Sequence, residues 1–101
     1  MIVDDTGEAV RLFVYVLDSI ARAPAAAVRA HAMYLASLDG RGVLVVGGPY
    51  RDRAGAVVCV HADGDGAADA IARADPLVAF GFTLYALHEI ERIEQLSALA
   101  G

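Results

Sequence analysis

Histidine is the side chain best suited to moving protons near neutral pH, and this chain has three: His31, His61 and His88. His61 and His88 fall in strand-like stretches with no cysteine or carboxylate at ligand spacing, so the sequence offers no metal site. His31 lies in Arg29-Ala30-His31-Ala32-Met33-Tyr34-Leu35. Together with Val28, Leu35 and Leu38 it recurs at i, i+3, i+7 and i+10, one face of an α-helix. A histidine on an apolar stripe is either a packed structural residue bonded to backbone or a general acid/base. The second role needs a carboxylate to fix its tautomer and a cavity beside it. The candidate carboxylate is Asp75, in Ala74-Asp75-Pro76-Leu77. Taken by itself, Asp-Pro is ordinary helix-ending punctuation.

Other residue types narrow the chemistry. Gly47-Gly48-Pro49 reads as a strand terminus, and glycine there also lets backbone approach a ligand. Tyr34 and Tyr50 either line such a pocket or pack. Cys59 has no activating neighbour and reads as a buried, inert thiol. The chain has no phosphate-cradling glycine loop opening a helix and no nucleophile-elbow serine.

The elements that must position His31 and Asp75 follow from the pattern. Leu12 to Leu17 (LFVYVL) is β-branched and aromatic and reads as a buried strand. A helix opens at Ala23 with Pro24 in its first turn and stops at Asp39-Gly40-Arg41-Gly42, where glycine suits a left-handed cap. Val43 to Val46 form a second strand, ended by Gly47-Gly48-Pro49. Arg51 to Gly55 make a hairpin loop, and Ala56 to His61 a third strand antiparallel to the second. An Asp in the loop Ala62 to Gly66 is expected to cap a short helix, Ala67 to Ala74, with Ala67, Ala70, Ile71 and Ala74 as its apolar face. After a short connection, Phe82 to Ile90 form the last strand, and a terminal helical turn or two is expected within Glu91 to Ala100. This βαββαβ order predicts a ferredoxin-like α+β fold, an antiparallel sheet with both helices on one face. The helices then run roughly antiparallel. The start of the first, with His31, and the end of the second, with Asp75, become neighbours.

The chain has 101 residues, 57% hydrophobic and 21% charged, the profile of one globular domain. We take residues 11–92 as its core, 1–10 as an N-terminal extension and 93–101 as a C-terminal tail. The net charge is −5. The basic residues, all arginine, are scattered, so a nucleic-acid partner is not expected. A lone cysteine, no basic-then-apolar leader and no bilayer-length apolar run point to a cytoplasmic protein away from membranes.

The strands are apolar on both faces: Leu12, Val14 and Val16 as well as Phe13, Tyr15 and Leu17. Two helices cover only one face of a sheet. The other face would leave a large exposed apolar patch, which monomers rarely carry. A homodimer packed through the open sheet face is expected.

Several of these residues resemble the YCII-related (YciI-like) domain family: Arg29 to Leu35, Leu38, Gly42, Val43-Leu44, Gly48-Pro49, Gly55, Asp75-Pro76-Leu77-Val78, Gly81 and Tyr85. They occur in family order across about residues 11–92. The resemblance implies a ferredoxin-like dimer of the dimeric α/β-barrel group, which includes muconolactone isomerases and small monooxygenases. It implies a His–Asp dyad, mapping onto His31 and Asp75. Its best-defined enzymatic member resembles a dehydrochlorinase acting on a chlorinated hydroxyhydroquinone. This chain departs from the pattern in having Gly47 where Ala or Ser is frequent, in its first ten residues and in its short, Ala-rich second helix.

Two functions are consistent with this sequence. One is a cofactor-independent lyase- or isomerase-type enzyme. His31 would move a proton on a small cyclic or aromatic substrate, Asp75 would orient it, and Tyr34, Gly47, Gly48 and Pro49 would contact the substrate. The other is a non-catalytic dimeric module that binds a small molecule or assists a larger enzyme. Contact between His31 and Asp75 beside a cavity separates them.

Overall fold

The computed structural model describes residues 11–91. Its elements are β1 (Arg11–Ser19), α1 (Ala25–Gly40), β2 (Leu44–Pro49), β3 (Ala56–Ala62), α2 (Asp65–Ala74), α3 (Pro76–Ala79) and β4 (Thr83–Ile90). The sheet order is β2-β3-β1-β4, and every neighbouring pair is antiparallel. This is the ferredoxin-like arrangement expected from the βαββαβ order. The two central strands, β3 and β1, are the most apolar, as strands flanked on both edges must be. The terminal helical turn expected after Glu91 lies outside the described residues.

The registers fix the faces. Phe13, Tyr15 and Leu17 of β1 and Ala56, Val58 and Val60 of β3 pack with Leu38 of α1 and Ala68 and Ala72 of α2 in one buried core. The opposite face is a continuous row of paired positions. Val14 lies between Cys59 and His88, Leu12 between His61 and Ile90, and Val16 between Val57 and Ala86. On that face Val46, Leu84 and Ile90 are exposed.

Three local features differ from expectation. The second strand does not end at Gly47 but continues through Gly47-Gly48-Pro49, which pair with Val58, Val57 and Ala56. β2 is an edge strand, where a proline lacking its N–H is tolerated. The irregularity lies instead between Leu44 and Val46. No Asp side chain caps α2: its N-cap is Gly64, and Asp65 stands in the first turn. The apolar face of α2 is also rotated from the expected one. Ala68 and Ala72 are buried while Ala67, Ala70 and Ala74 are exposed. In an alanine-rich helix nearly every face reads as apolar, so periodicity does not orient it. Packing and the Asp69 carboxylate, which accepts from the Tyr85 hydroxyl, orient it instead.

Two features place the residues of interest. Pro24 stands just before α1 as its N-cap, and Gly42 closes that helix with φ +73°, which holds His31 in the second turn. The short connection after α2 contains a single helical turn, α3. Asp75 begins it as N-cap, accepting from the Leu77 N–H at 3.0 Å, and Pro76 follows at the first helical position, where its missing N–H costs nothing.

Candidate active site

Asp75 is fully buried, at 0% exposure. A carboxylate removed from water must find donors for its lone pairs, and this one has three. Its Oδ2 accepts from the Tyr15 hydroxyl at 2.9 Å, and its Oδ1 accepts from the Leu77 N–H. His31 Nδ1 lies 2.8 Å from both oxygens. Strand β1 supplies Tyr15, helix α1 supplies His31, and the α2–α3 junction supplies the carboxylate.

The contact assigns the imidazole tautomer. A carboxylate only accepts, so Nδ1 is the donor; in the neutral imidazole the lone pair then lies on Nε2. The His31 side chain retains 12% exposure and lines a cavity of about 460 Å³, within the size range of small-molecule sites. The geometry brings together an imidazole, a carboxylate within hydrogen-bond distance of it, and room for a ligand.

The cavity lies between α1 and the end of the sheet. Leu17 and Ala56 come from the sheet, Val28 and Leu35 from α1, and Leu77 and Phe82 from the segment around α3. Val28, expected on the buried stripe with His31, is 50% exposed because the stripe opens here onto the cavity. Gly47, Gly48 and Pro49 line the same cavity, so the continued edge strand forms one of its walls.

Tyr34 is placed differently. It is not among the cavity-lining residues, and its hydroxyl donates to the Ile71 carbonyl at 2.7 Å, tying α1 to α2. Burial, then the charge of Asp75, pushes its phenol above the usual tyrosine range. Tyr50 also stands outside the lining, with the Arg53 guanidinium over its ring. His61 falls on the open sheet face, away from His31, and its Nδ1 is buried without a hydrogen-bond partner among the described residues. Among the same residues, no group of three or more His, Cys, Asp or Glu side chains is placed to hold a metal ion.

Sequence reasoning took Tyr15 for a core residue and missed its contact with Asp75. One signal is there: a lone phenol within the apolar run of β1, which must find a partner when buried. Burial, followed by the charge of Asp75, pushes the Tyr15 phenol far above its usual range. Tyr15 is therefore a permanent donor to the carboxylate and not a titrating group near neutrality.

The model of the YCII-related domain matches residues 8–93. No curated protein matches the chain at a significant level. Among solved structures, the chain is similar to 5-chloro-2-hydroxyhydroquinone dehydrochlorinase (TftG) from Burkholderia phenoliruptrix AC1100 in complex with 2,5-dihydroxybenzoquinone. The TM-score is 0.60 and the identity 18%, over 81% of this chain and 95% of that one. At that identity the likeness is one of fold.

Proposed function

The chain belongs to the YCII-related domain family, and on that premise we propose that it is a small lyase- or isomerase-type enzyme acting by proton transfer. The observation that carries this reading is the 2.8 Å approach of His31 Nδ1 to a fully buried Asp75 at the wall of a cavity. His31 Nε2 takes a proton from a small cyclic or aromatic substrate. The electron pair of the broken bond forms a new double bond. Either a leaving group departs with its own electrons, or the proton returns at another carbon. Asp75 holds the ring and stabilises the imidazolium formed, while Tyr15 and the Leu77 N–H hold Asp75. The apolar walls strengthen these interactions by excluding water. The likeness to a dehydrochlorinase with a bound ring compound supports the substrate class without naming the substrate.

The functional unit in this proposal is a homodimer joined through the open sheet face. The exposure of Val46, Leu84 and Ile90 on that face supports it. No helix among the described residues is long and apolar enough to cross a membrane.

The test compares wild type, His31→Ala and Asp75→Asn on a panel of small ring compounds that carry a leaving group beside an acidic hydrogen. General acid–base catalysis contributes roughly 10²–10⁴-fold, so each variant should lose about that much turnover while light scattering shows the same assembly. Variants as active as wild type overturn the reading. A wild type that binds the panel and turns none of it over indicates a binding module instead.

A further inference from the structure

We infer that Thr83, with Ser19 beside it, anchors an oxygen of the substrate at the sheet end of the cavity. This rests on the proton-transfer reading above and adds a positioning residue to it. Thr83 opens β4 and pairs with Ser19 at the last position of the β1–β4 register. Ser19 has the parity of Tyr15 and Leu17, and Thr83 that of Tyr85 and Leu87, so both face the helix layer. Both line the cavity that His31 lines.

Thr83 is 6% exposed, and its hydroxyl has no hydrogen-bond partner among the described residues. A buried hydroxyl without a partner is unfavourable, and a valine of the same shape would avoid that penalty. The cavity walls around it are otherwise mainly apolar, with Leu17, Leu77 and Phe82 close at hand. Rotation of a threonine by about 120° about χ1 carries the methyl into the staggered position that the hydroxyl leaves. The hydroxyl moves to the third position, where it meets a ligand oxygen, and the methyl keeps the packing. A ligand carrying an oxygen at this end restores the missing hydrogen bond, and an oxygen-free ligand does not. The ring is thereby held from the sheet by Thr83 while His31, on the helix above, reaches its proton. The substrate class is an apolar ring bearing at least one hydroxyl or carbonyl.

The probes are p-cresol and p-xylene, which differ by one hydroxyl, titrated by NMR into wild type, Thr83→Val, Thr83→Ser and His31→Ala. The preference for p-cresol over p-xylene should fall roughly tenfold in Thr83→Val, a factor in keeping with one net hydrogen bond. The p-xylene affinity should be unchanged. Thr83→Ser should keep the wild-type preference within about twofold, and Thr83→Val should melt no lower than wild type. His31→Ala should keep the preference, since it removes the base and not the anchor. Three results overturn the proposal: an unchanged preference in Thr83→Val, a clear drop in its melting temperature, or a wild type that binds neither probe. If the preference is lost in His31→Ala and kept in Thr83→Val, His31 holds the oxygen. The Thr83 anchor then falls while the His31 site stands.

Discussion

The Tyr15 hydroxyl donates to Asp75 Oδ2 at 2.9 Å inside the core. That bond joins a central strand of the sheet to the carboxylate that His31 touches, so the candidate site is braced by the core rather than carried on a loop. Stability and site geometry are therefore coupled, and a change at Tyr15 should be felt at His31.

Tyr15→Phe keeps the ring and removes one donor from a buried carboxylate. Hydrogen bonds to charged groups contribute about 1.5–3 kcal/mol, and the urea midpoint should fall accordingly. Asp75→Ala should cost more, because it leaves the Tyr15 hydroxyl, the His31 Nδ1–H and the Leu77 N–H without their acceptor. If Tyr15→Phe unfolds at the wild-type midpoint, the bond contributes nothing and the coupling is absent.

Stability should decline at alkaline pH. The folded Tyr15 phenol is raised above its ordinary value by burial and by Asp75, whereas in the unfolded chain it ionises near 10. A raised folded pKa contributes stability that is fully present below the unfolded value and is lost as pH rises above it. One such group gives a slope of about 1.4 kcal/mol per pH unit above about pH 10. Tyr34, also raised, adds to it. Unfolding free energies measured between about pH 9 and about pH 11 should show the decline, with a shallower slope in Tyr15→Phe. Equal slopes in the two proteins would remove Tyr15 as the cause.

Two glycines of the cavity wall should behave oppositely. Gly55 has φ +126°, and a Cβ there would run into the Leu17 carbonyl oxygen and the Tyr50 ring. Gly55→Ala should destabilise the protein by at least about 1–3 kcal/mol from backbone strain alone. A Cβ on Gly47 would meet the Val57 carbonyl oxygen at 3.4 Å and the Leu35 and Leu44 side chains at 3.6 Å, which is tight but tolerable contact. Gly47→Ala should fold with a nearly unchanged melting temperature and a smaller cavity, and should bind bulky ring compounds more weakly than wild type. Equal melting temperatures for the two variants would contradict the geometry.

The open sheet face should respond to charge. Leu84→Arg and Val46→Glu each place a charge among exposed apolar side chains on that face. Light scattering at micromolar concentration should show a dimer for wild type and a monomer for either variant, with far-ultraviolet circular dichroism unchanged. A monomeric wild type would dispose of the homodimer.

How much of this was legible beforehand differs from residue to residue. Spacing places His31 on an apolar helical stripe, and chain order puts Asp75 at the neighbouring helix end. The strands were read from β-branched and aromatic runs, and the edge position of β2 from none of these. Its continuation through Gly47-Gly48-Pro49 depends on the partner strand. The rotation of α2 was hidden because alanine carries too little side chain to mark a face.

Residue order and spacing specify the βαββαβ order, the two-faced apolar sheet and the candidacy of His31 and Asp75, because these depend on periodicity, turn residues and the constraints of connecting antiparallel strands. Only the packed fold shows that Tyr15 bonds Asp75, that the Tyr34 hydroxyl ties α1 to α2, and that the Thr83 hydroxyl has no partner among the described residues. Each of those outcomes turns on where a side-chain oxygen ends up to within an ångström or so. Hydrogen bonding is sensitive at that scale, whereas residue type and spacing specify only which face of an element the side chain occupies.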